Sequence, residues 1–377
     1  MEILVKTFHG LEQILAQELQ DLGAENIRPI KRGVRCSGNL GLLYSANYEL
    51  RTALRVLTPI HSFEARNEKE LYEKVREYDW SVLMDASQTF ALDNSIFSDY
   101  FKHSKFAALK VKDAMVDQFR DQFKRRPSVD RENPEIKFDV HAWKEKFTIS
   151  LDSSGESLHQ RGYRNKGHLA PLNEVLAAGM VKLASWDSSI PLIDPMCGTG
   201  TLLIEAAMLA CNIPPQWLRR DFSFKNWKDF SPLVWNRVKT EADSKIRRKP
   251  LQISGGDIDP KAVALAKKSI KQLGLQLQVR VNEVAFERHL PKTTSGMIIT
   301  NPPYGERLEK KDILAFYKLI SDLLKQHFQG FEAWVLSSNV EALKHLKLRP
   351  AKKLDLYNGA LACKFQQYEL YQGHRPE

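Results

Sequence analysis

The sequence contains little cysteine and no long apolar segment. Its 377 residues include four cysteines, scattered without a CxxC pair, which disfavours both a zinc site and a disulfide framework. No apolar run approaches the roughly 20 residues of a membrane span, and the first residues lack the layout of a secretory signal. These absences predict a cytoplasmic protein with reduced thiols and no bound metal.

Basic residues are in excess, and they are unevenly placed. The net charge is +10. Residues 1–165 hold 25 Lys and Arg against 25 Asp and Glu, whereas residues 166–377 hold 31 against 21. All of the excess lies in the second part, as expected of a region that holds a polyanion. The length exceeds the about 100–200 residues of one domain, so two or three domains are predicted.

A short motif follows the apolar run of residues 296–300. Asn301-Pro302-Pro303-Tyr304 places an amide, a stiff backbone and an aromatic ring at the end of a predicted buried strand, where open α/β sheets bind ligands. The Asn301 oxygen and the Pro302 carbonyl can accept hydrogen bonds from a ring-bound NH2 group while Tyr304 stacks on the ring. Such acceptors favour the partly positive nitrogen of a transition state. Taken alone, the motif is equally typical of a proline turn.

A glycine loop stands between a predicted strand and a predicted helix. The strand at residues 190–193 is followed by Asp194, by Gly198-Thr199-Gly200 and then by an apolar helical pattern. The glycines allow a tight turn and a close approach to a ligand, and the first helical turn adds free N–H donors. The third glycine of a dinucleotide fingerprint and the Gly-Lys-Ser/Thr of a P-loop are missing, which disfavours nicotinamide and ATP chemistry.

Acidic residues end the next two predicted strands. Asp257 follows residues 251–256, where an acid would grip a ribose diol, and Glu283 follows residues 277–281, where it can accept from an adenine amino group. With these residues the sequence resembles the amino-methylating branch of the S-adenosylmethionine-dependent methyltransferases, whose signature is Asp/Asn-Pro-Pro-Tyr/Phe. Glu283 departs from the Asp that is more usual in that family.

The resemblance implies a cofactor site and a site for the target amine. The residues that would bind S-adenosylmethionine are Asp194, Gly198, Thr199, Gly200, Asp257 and Glu283. The residues that would hold the target base are Asn301, Pro302 and Tyr304. The sulfonium supplies its own leaving group, so the resemblance implies no metal, no phosphate transfer and no covalent nucleophile.

The first half of the chain alternates helical and strand patterns on a smaller scale. Helices are predicted at residues 11–22, 40–57 and 106–123, and a hairpin at residues 136–141 and 146–151. Four stretches resemble the THUMP family of RNA-binding domains, preceded by a small ferredoxin-like unit: residues 106–114, 126–130, 152–158 and 161–164.

A THUMP domain joined to this catalytic domain resembles the bacterial 23S ribosomal RNA guanine-N2 methyltransferases, and the resemblance spans essentially the whole chain. The longest members of that family carry a second methyltransferase domain that makes 7-methylguanine, whereas this sequence stops after one. The resemblance therefore implies guanine-N2 methylation and not the second activity.

Basic and aromatic residues provide a separate argument for RNA. A basic run, for which a solvated face is an equally good explanation, contains Lys110, Lys112, Lys124, Arg125 and Arg126. The segment 212–250, which we call the insertion, is far longer than a usual connection and interleaves aromatic residues with cations, which suits stacking on unpaired bases. Within it, Arg219 and Arg220 are predicted to bind phosphate. For Trp227 and Trp235, the competing interpretation to base stacking is favoured: these side chains would pin the insertion onto the sheet.

The predicted fold class is α/β, with a Rossmann-like seven-stranded methyltransferase domain after two α+β units. The predicted parts are a ferredoxin-like unit (1–43), a THUMP domain (44–153), a basic connector (154–170) and the methyltransferase domain (171–377), whose first helix opens near Pro171. The final strands, residues 353–357 and 361–368, form a hairpin about Asn358-Gly359 and make the sheet mixed.

Several functions remain open. A ribosomal RNA guanine-N2 methyltransferase leads, followed by a transfer RNA guanine methyltransferase of the same build and then by a DNA adenine-N6 or protein glutamine methyltransferase. A non-enzymatic RNA chaperone built on the fold is the alternative from another class. The intact Asn301, Pro302, Tyr304 and loop glycines count against the chaperone, and the THUMP resemblance counts against DNA and protein targets.

Overall fold

The computed structural model describes residues 1–164, 172–304 and 310–371. Within them the chain forms one sheet of eight strands and one of seven. No helix in this described part is long and apolar enough to cross a membrane. All four cysteines are buried and free. The predicted end of the connector and Pro171 lie outside the described residues, and the helix expected to open near Pro171 begins at Glu174 with Asn173 as its N-cap.

The first sheet belongs to the N-terminal half. Its strands are β1 (Glu2–Lys6), β2 (Glu25–Ile30), β3 (Gly33–Ser37), β4 (Arg55–Glu64), β5 (Thr89–Phe97), β6 (Ser128–Val129), β7 (Ile136–Trp143) and β8 (Lys146–Asp152). Its helices are α1 (Glu12–Asp21), α2 (Leu40–Glu49), α3 (Glu68–Arg76) and α4 (Ser104–Phe123). The strand order is β2-β3-β1-β4-β8-β7-β5-β6. Because β4 pairs with both β1 and β8, the ferredoxin-like and THUMP-like parts share one continuous sheet.

The helix predicted for residues 40–57 is too long. It ends at Glu49, and the chain enters β4 at Arg55. Apolar residues continue through both elements, and a short apolar run does not distinguish a buried helix from a buried strand. The predicted domain boundary at residues 43 and 44 falls inside α2.

The second sheet confirms the predicted seven-stranded mixed architecture. Its strands are β9 (Leu192–Asp194), β10 (Ile253–Asp257), β11 (Val279–Glu283), β12 (Gly296–Thr300), β13 (Phe331–Ser337), β14 (Lys352–Asn358) and β15 (Leu361–Glu369). Its helices are α5 (Glu174–Leu183), α6 (Thr201–Ala210), α7 (Pro232–Ser244), α8 (Pro260–Gln272), α9 (Lys310–His327) and α10 (Val340–Lys344). The order is β11-β10-β9-β12-β13-β15-β14, and β15 runs antiparallel to both neighbours.

The final hairpin turns one residue later than predicted. Asn358 pairs with Leu361, which leaves Gly359-Ala360 as the linking pair. Gly359 has φ +64°, whereas Asn358 and Ala360 have negative φ. A two-residue turn with positive φ at its first position only is of the II′ kind, in which glycine is favoured there.

The insertion packs against the N-terminal half. Four of its aromatic side chains are at most 8% exposed: Phe222, Phe224, Trp227 and Trp235. They belong to the same apolar cluster as α2, and the Trp235 ring lies 5.5 Å from that of Tyr48 and 6.2 Å from that of Tyr44. The two tryptophans therefore pin the insertion, but onto α2 and not onto the methyltransferase sheet. Their buried rings are not available for stacking on bases.

The described part of the connector ties the two halves together. Arg161 is fully buried and donates to the carbonyls of Leu158 and Arg51. Its Nε lies 3.6 Å from the carboxylate of Glu205, a residue of α6, and Tyr163 donates to the same carboxylate at 2.8 Å. Removing one partner of a buried ion pair is strongly destabilising, so these buried contacts join the two halves.

Candidate active site

The predicted cofactor and target residues meet at one edge of the second sheet. Asp194 ends β9, Asp257 ends β10 and Asn301 directly follows β12. These three strands are neighbours and run parallel, so their carboxyl ends share one edge. Ligands of open α/β sheets bind at this edge.

Asp257 holds the glycine loop in place. The Gly198 N–H donates to Asp257 Oδ2 at 2.7 Å, and the Asp259 N–H donates to Oδ1 at 2.9 Å. A carboxylate oxygen has two lone pairs, so each oxygen keeps capacity for a ligand hydroxyl. Glu283 is the register partner of Asp257 on β11 and is exposed beside it.

The two loop glycines have different reasons to be glycine. Both have left-handed backbones, with φ +53° at Gly198 and +75° at Gly200. A Cβ at Gly200 would lie 3.1 Å from the Cβ of Ala266 on α8, whereas a Cβ at Gly198 would meet nothing within 4 Å. Gly200 therefore allows α6 and α8 to pack closely, and Gly198 borders open space that a ligand can approach. Half-buried Thr199 lies between them.

The start of α6 faces the same loop. Gly200 caps the helix without a side-chain hydrogen bond, so the first N–H groups keep their donor capacity for a ligand. Free N–H donors, a close glycine approach and a carboxylate at the end of the next strand suit a nucleoside with a charged tail. The residues present therefore fit S-adenosylmethionine.

Asp194 is a buried link between the loop and the target motif. Its side chain is 2% exposed, and its Oδ1 accepts from Thr300 Oγ1 at 2.8 Å and from the Met196 N–H at 3.2 Å. Burial raises the pKa of Asp194 to about 7, and the nearby Asp257 adds to the rise. Because Thr300 precedes Asn301, this carboxylate connects the cofactor loop with the segment that carries the target motif.

The Asn-Pro-Pro-Tyr segment is held from the next strand and helix. Asn339 Nδ2 donates to the Tyr304 carbonyl at 3.2 Å. The Tyr317 hydroxyl of α9 lies 3.4 Å from the Pro303 carbonyl and 2.7 Å from Ser337 Oγ. Sequence reasoning missed these three supports. The signal was present, because Ser337 ends the apolar strand β13 and Asn339 follows it, as Asn301 follows β12.

Within the motif, the Tyr304 hydroxyl donates to Asn301 Oδ1. Burial raises the pKa of Tyr304, and Cys363, whose Sγ lies 4.0 Å from the hydroxyl, adds to the rise. Tyr304 therefore stays a hydrogen-bond donor at neutral pH. Asn301 is half-buried and Pro302 is buried, so the acceptors sit in a partly dry site in which hydrogen bonds are strengthened.

The predicted RNA-contacting residues of the first half lie on and after α4. Lys110 and Lys112 are half-buried on the helix; the Lys110 ammonium lies 5.7 Å from the Phe106 ring centroid, and Lys112 pairs with the neighbouring Asp113 at 2.8 Å. Arg125 and Arg126 follow the helix and are exposed.

Arg219, which the sequence predicts to bind phosphate, is held by backbone carbonyls in the structure. Its Nη2 donates to the carbonyls of Ser154 at 2.7 Å and Glu156 at 2.8 Å, and its Nε donates to that of Asp221 at 2.8 Å. Burial lowers the pKa of Arg219 to about 10. Its donors are used to tie the insertion to the connector, whereas Arg220 is exposed.

No group of three or more His, Cys, Asp and Glu side chains among the described residues is arranged to hold a metal ion.

The strand order and the glycine loop beside an Asn-Pro-Pro-Tyr segment together define a class, the Rossmann-like methyltransferases that use S-adenosylmethionine.

Comparison with known proteins gives the family. Residues 161–367 match the family described as RMKL-like, methyltransferase domain; residues 65–152 match the THUMP domain and residues 2–57 the RlmL ferredoxin-like domain. The chain is 39% identical over 365 residues to slr0064 of Synechocystis sp., a candidate RNA methyltransferase, covering 96% of this chain and 95% of that protein. The chain belongs to the RMKL-like methyltransferase family.

A further relative is longer. The chain is 38% identical over 374 residues to the ribosomal RNA large subunit methyltransferase K/L of Syntrophotalea carbinolica, covering 96% of this chain and 52% of that protein. It thus spans about half the length of that relative.

Two solved structures share the whole architecture. SMU.472, a methyltransferase candidate in complex with S-adenosylhomocysteine, has a TM-score of 0.89 at 28% identity, with 99% of each chain covered. A candidate methylase from Clostridium difficile 630 has a TM-score of 0.89 at 30% identity, covering 100% of this chain and 99% of that one.

Proposed function

We propose that this chain transfers a methyl group from S-adenosylmethionine to the exocyclic N2 amine of a guanine in RNA, most specifically in 23S ribosomal RNA in the cytoplasm. The observation that carries the proposal is the position of Asn301, which shares one sheet edge with the glycine loop and is linked to it through Thr300 and Asp194. An amine held at Asn301 would lie beside the cofactor.

The residues at this sheet edge have separate roles in binding the cofactor. When bound, the cofactor supplies an electrophilic methyl group. Gly198 allows the backbone to approach it, Asp257 accepts from its ribose hydroxyls and Glu283 from its adenine amine. Asp194, Thr199 and Gly200 complete the loop.

The target amine would meet two acceptors. Asn301 Oδ1 and the Pro302 carbonyl accept the two N2 hydrogens of guanine, and the ring of Tyr304 supports the base. Because a lone pair conjugated into a ring is a poor nucleophile, acceptors that favour a pyramidal nitrogen stabilise the transition state more than the ground state. A paired guanine cannot reach this edge, so the base must leave its stack.

RNA as the substrate is supported by the THUMP match and by the names of the two relatives described above. Lys110, Lys112, Arg125, Arg126 and Arg220 would contact phosphates, which position RNA without specifying its sequence. We propose the same domain division as the sequence predicts. Residues 1–43 form the ferredoxin-like unit, residues 44–153 the RNA-binding THUMP domain, residues 154–170 the connector and residues 171–377 the methyltransferase domain.

Two other targets are alternatives. A transfer RNA guanine would use the same acceptors. A chain from Listeria monocytogenes described as a predicted N6-adenine-specific DNA methylase has a TM-score of 0.87 at 28% identity, covering 98% of this chain and 96% of that one, which keeps an adenine amine as the second candidate.

Nucleoside analysis tests the proposal. The full chain is incubated with S-adenosylmethionine and, separately, with unmodified transcripts of 23S rRNA, 16S rRNA and tRNA and with duplex DNA. After digestion, mass spectrometry should find N2-methylguanosine in the 23S sample alone, and Asn301→Ala should lose it. N6-methyladenosine in an RNA sample, N6-methyl-2′-deoxyadenosine in the DNA sample, or N2-methylguanosine in tRNA only would overturn the assigned target.

A further inference from the structure

A cleft of about 420 Å³ lies on the insertion, apart from the residues assigned to the cofactor and the target. Its lining includes two indoles and four cations: Trp217, Trp235, Arg219, Arg220, Lys225 and Lys239. Acidic side chains do not occur among the lining residues that the structure describes. A concave surface of this composition suits a ligand with a flat ring and a negative charge.

The cleft lies away from the methyl-transfer edge. The Arg248 guanidinium lies 5.5 Å from the Trp217 ring centroid, and its Nη1 donates to the carbonyls of Leu273 at 3.0 Å and Gly274 at 2.8 Å. Leu273 and Gly274 lie at the C-terminal end of α8. The N-terminal end of α8 comes directly after the segment that contains Asp257, at the edge assigned to the cofactor. A helix of 13 residues is about 20 Å long at 1.5 Å per residue. A base on Trp217 is therefore not the base that reaches Asn301.

The cations of the cleft are not equally available. Arg219 donates to backbone carbonyls, and Lys239 pairs with Asp243, which also accepts from Tyr48. Arg220 is exposed. Lys225 lies 5.7 Å from the Trp235 ring centroid and gives one hydrogen to the Arg220 carbonyl, and an ammonium has three.

Trp217 is half-buried, with Arg248 against its ring and the cleft beside it. The part of the indole that lines the cleft, next to two available cations, can take a base and its phosphate together, because every base offers a flat face for stacking.

We propose that this cleft binds an unpaired nucleotide of the RNA substrate, with its base on Trp217 and its phosphate between Arg220 and Lys225. The inference rests on the proposed function, since it takes RNA to be the substrate. The cleft would hold the RNA chain at a second point, separate from the target guanine, which fixes the direction in which the strand crosses the catalytic half.

Binding of a fluorescein-labelled 12-nucleotide oligouridylate to the full chain tests the cleft across a salt series. Arg220→Ala with Lys225→Ala should weaken binding at least tenfold. It should also lower the slope of log affinity against log salt by about 0.7, the value for one single-strand phosphate contact. Trp217→Leu should weaken binding about tenfold at an unchanged slope, because stacking involves no counterion release.

The matched control removes the same number of charges from the insertion outside the cleft. Arg237→Ala with Lys245→Ala should leave affinity within about twofold. For the cleft variants, methylation of 23S rRNA should show a raised KM for RNA at an unchanged kcat, with S-adenosylhomocysteine affinity unaltered as the check on folding.

The outcomes separate this proposal from the proposed function. Wild-type affinity in both cleft variants, or an equal loss in the control, overturns the cleft. Displacement of the oligomer by micromolar uridine monophosphate would make a free nucleotide the occupant and also overturn it. Failure of the wild-type chain to form N2-methylguanosine counts against the proposed function alone.

Discussion

The Tyr304 hydroxyl donates a hydrogen bond to Asn301 Oδ1, the oxygen that we assign to the target amine. One lone pair of that oxygen is thus already engaged, and the bond fixes which way the amide points. Tyr304 therefore has two separable parts, a ring that can support the base and a hydroxyl that orients Asn301.

Asn301→Ala should lower the single-turnover methylation rate by about 100-fold, the scale of losing one preorganised polar partner, while RNA affinity stays nearly unchanged. Tyr304→Phe is the matched control, because it keeps the ring and removes only the hydroxyl. It should lower the rate by about tenfold or less. A near-normal rate for Asn301→Ala would rule out its assigned role.

Gly198→Ala should weaken S-adenosylhomocysteine binding at least tenfold, because the new methyl group enters the open space beside the loop. Gly359→Ala is its control: that glycine also has positive φ, at +64°, and also has nothing within 4 Å of an added Cβ. Both variants should lose a similar 1–2 kcal/mol or so of stability from left-handed strain. Calorimetry that finds equal affinities in the two variants would contradict the placement of the cofactor.

Asp194→Asn should change the pH dependence of stability. The pKa of Asp194 is about 7 in the folded chain and about 3.9 when unfolded. Its contribution to stability is therefore fully present below about pH 4 and is lost as the pH rises through 7. The variant keeps an acceptor for Thr300 but has no proton to lose.

Urea unfolding of both proteins from pH 5 to pH 8 measures this difference. The free energy of unfolding of the variant should rise relative to that of the wild type between pH 5 and pH 7, by at most about 3 kcal/mol for two pKa units at 1.36 kcal/mol each. Glu174, whose pKa burial also raises to about 7, is present in both proteins and cancels. Parallel stability curves would show that Asp194 ionises normally.

Trp235→Ala should destabilise the full chain by about 3–5 kcal/mol, the usual cost of removing a large buried aromatic side chain. The loss should appear in both halves at once, because Trp235 joins the insertion to α2. Trp143, which is 59% exposed, supplies the control, and Trp143→Ala should change stability by less than about 0.5 kcal/mol. Unfolding of one half alone in Trp235→Ala would argue against a shared interior.

Arg219→Ala and Arg220→Ala should have opposite consequences although the residues are adjacent. Arg219→Ala leaves carbonyls of the connector without their donor and should cost about 1–3 kcal/mol of stability. Arg220→Ala should keep wild-type stability and weaken RNA binding, with a smaller salt slope. Thermal unfolding and RNA titration on the two variants provide the comparison. Equal stability of both would place Arg219 on the surface.

Much of the catalytic edge could be predicted because its signals are local. An apolar run of five residues that ends in Asn301, or a strand followed by Gly198 and Gly200, describes a strand end wherever the strand lies in the fold. The resemblance to methyltransferases implies the seven strands, and the closing hairpin makes the sheet mixed; the run that forms β13 was not identified in the sequence. Helix boundaries were less certain, as the overlong helix at residues 40–57 shows.

The sequence by itself determined the family of the chain and the strand ends at which Asn301 and the loop glycines lie, because both depend on residues close together along the chain. Only the tertiary structure decided that Trp235 packs on Tyr48, that Arg219 ends on the carbonyls of Ser154 and Glu156, and that Asp194 bonds to Thr300. An apolar or basic pattern reports that a side chain will be buried or charged, but the partner comes from a segment dozens of residues or more away, and the fold alone brings the two together.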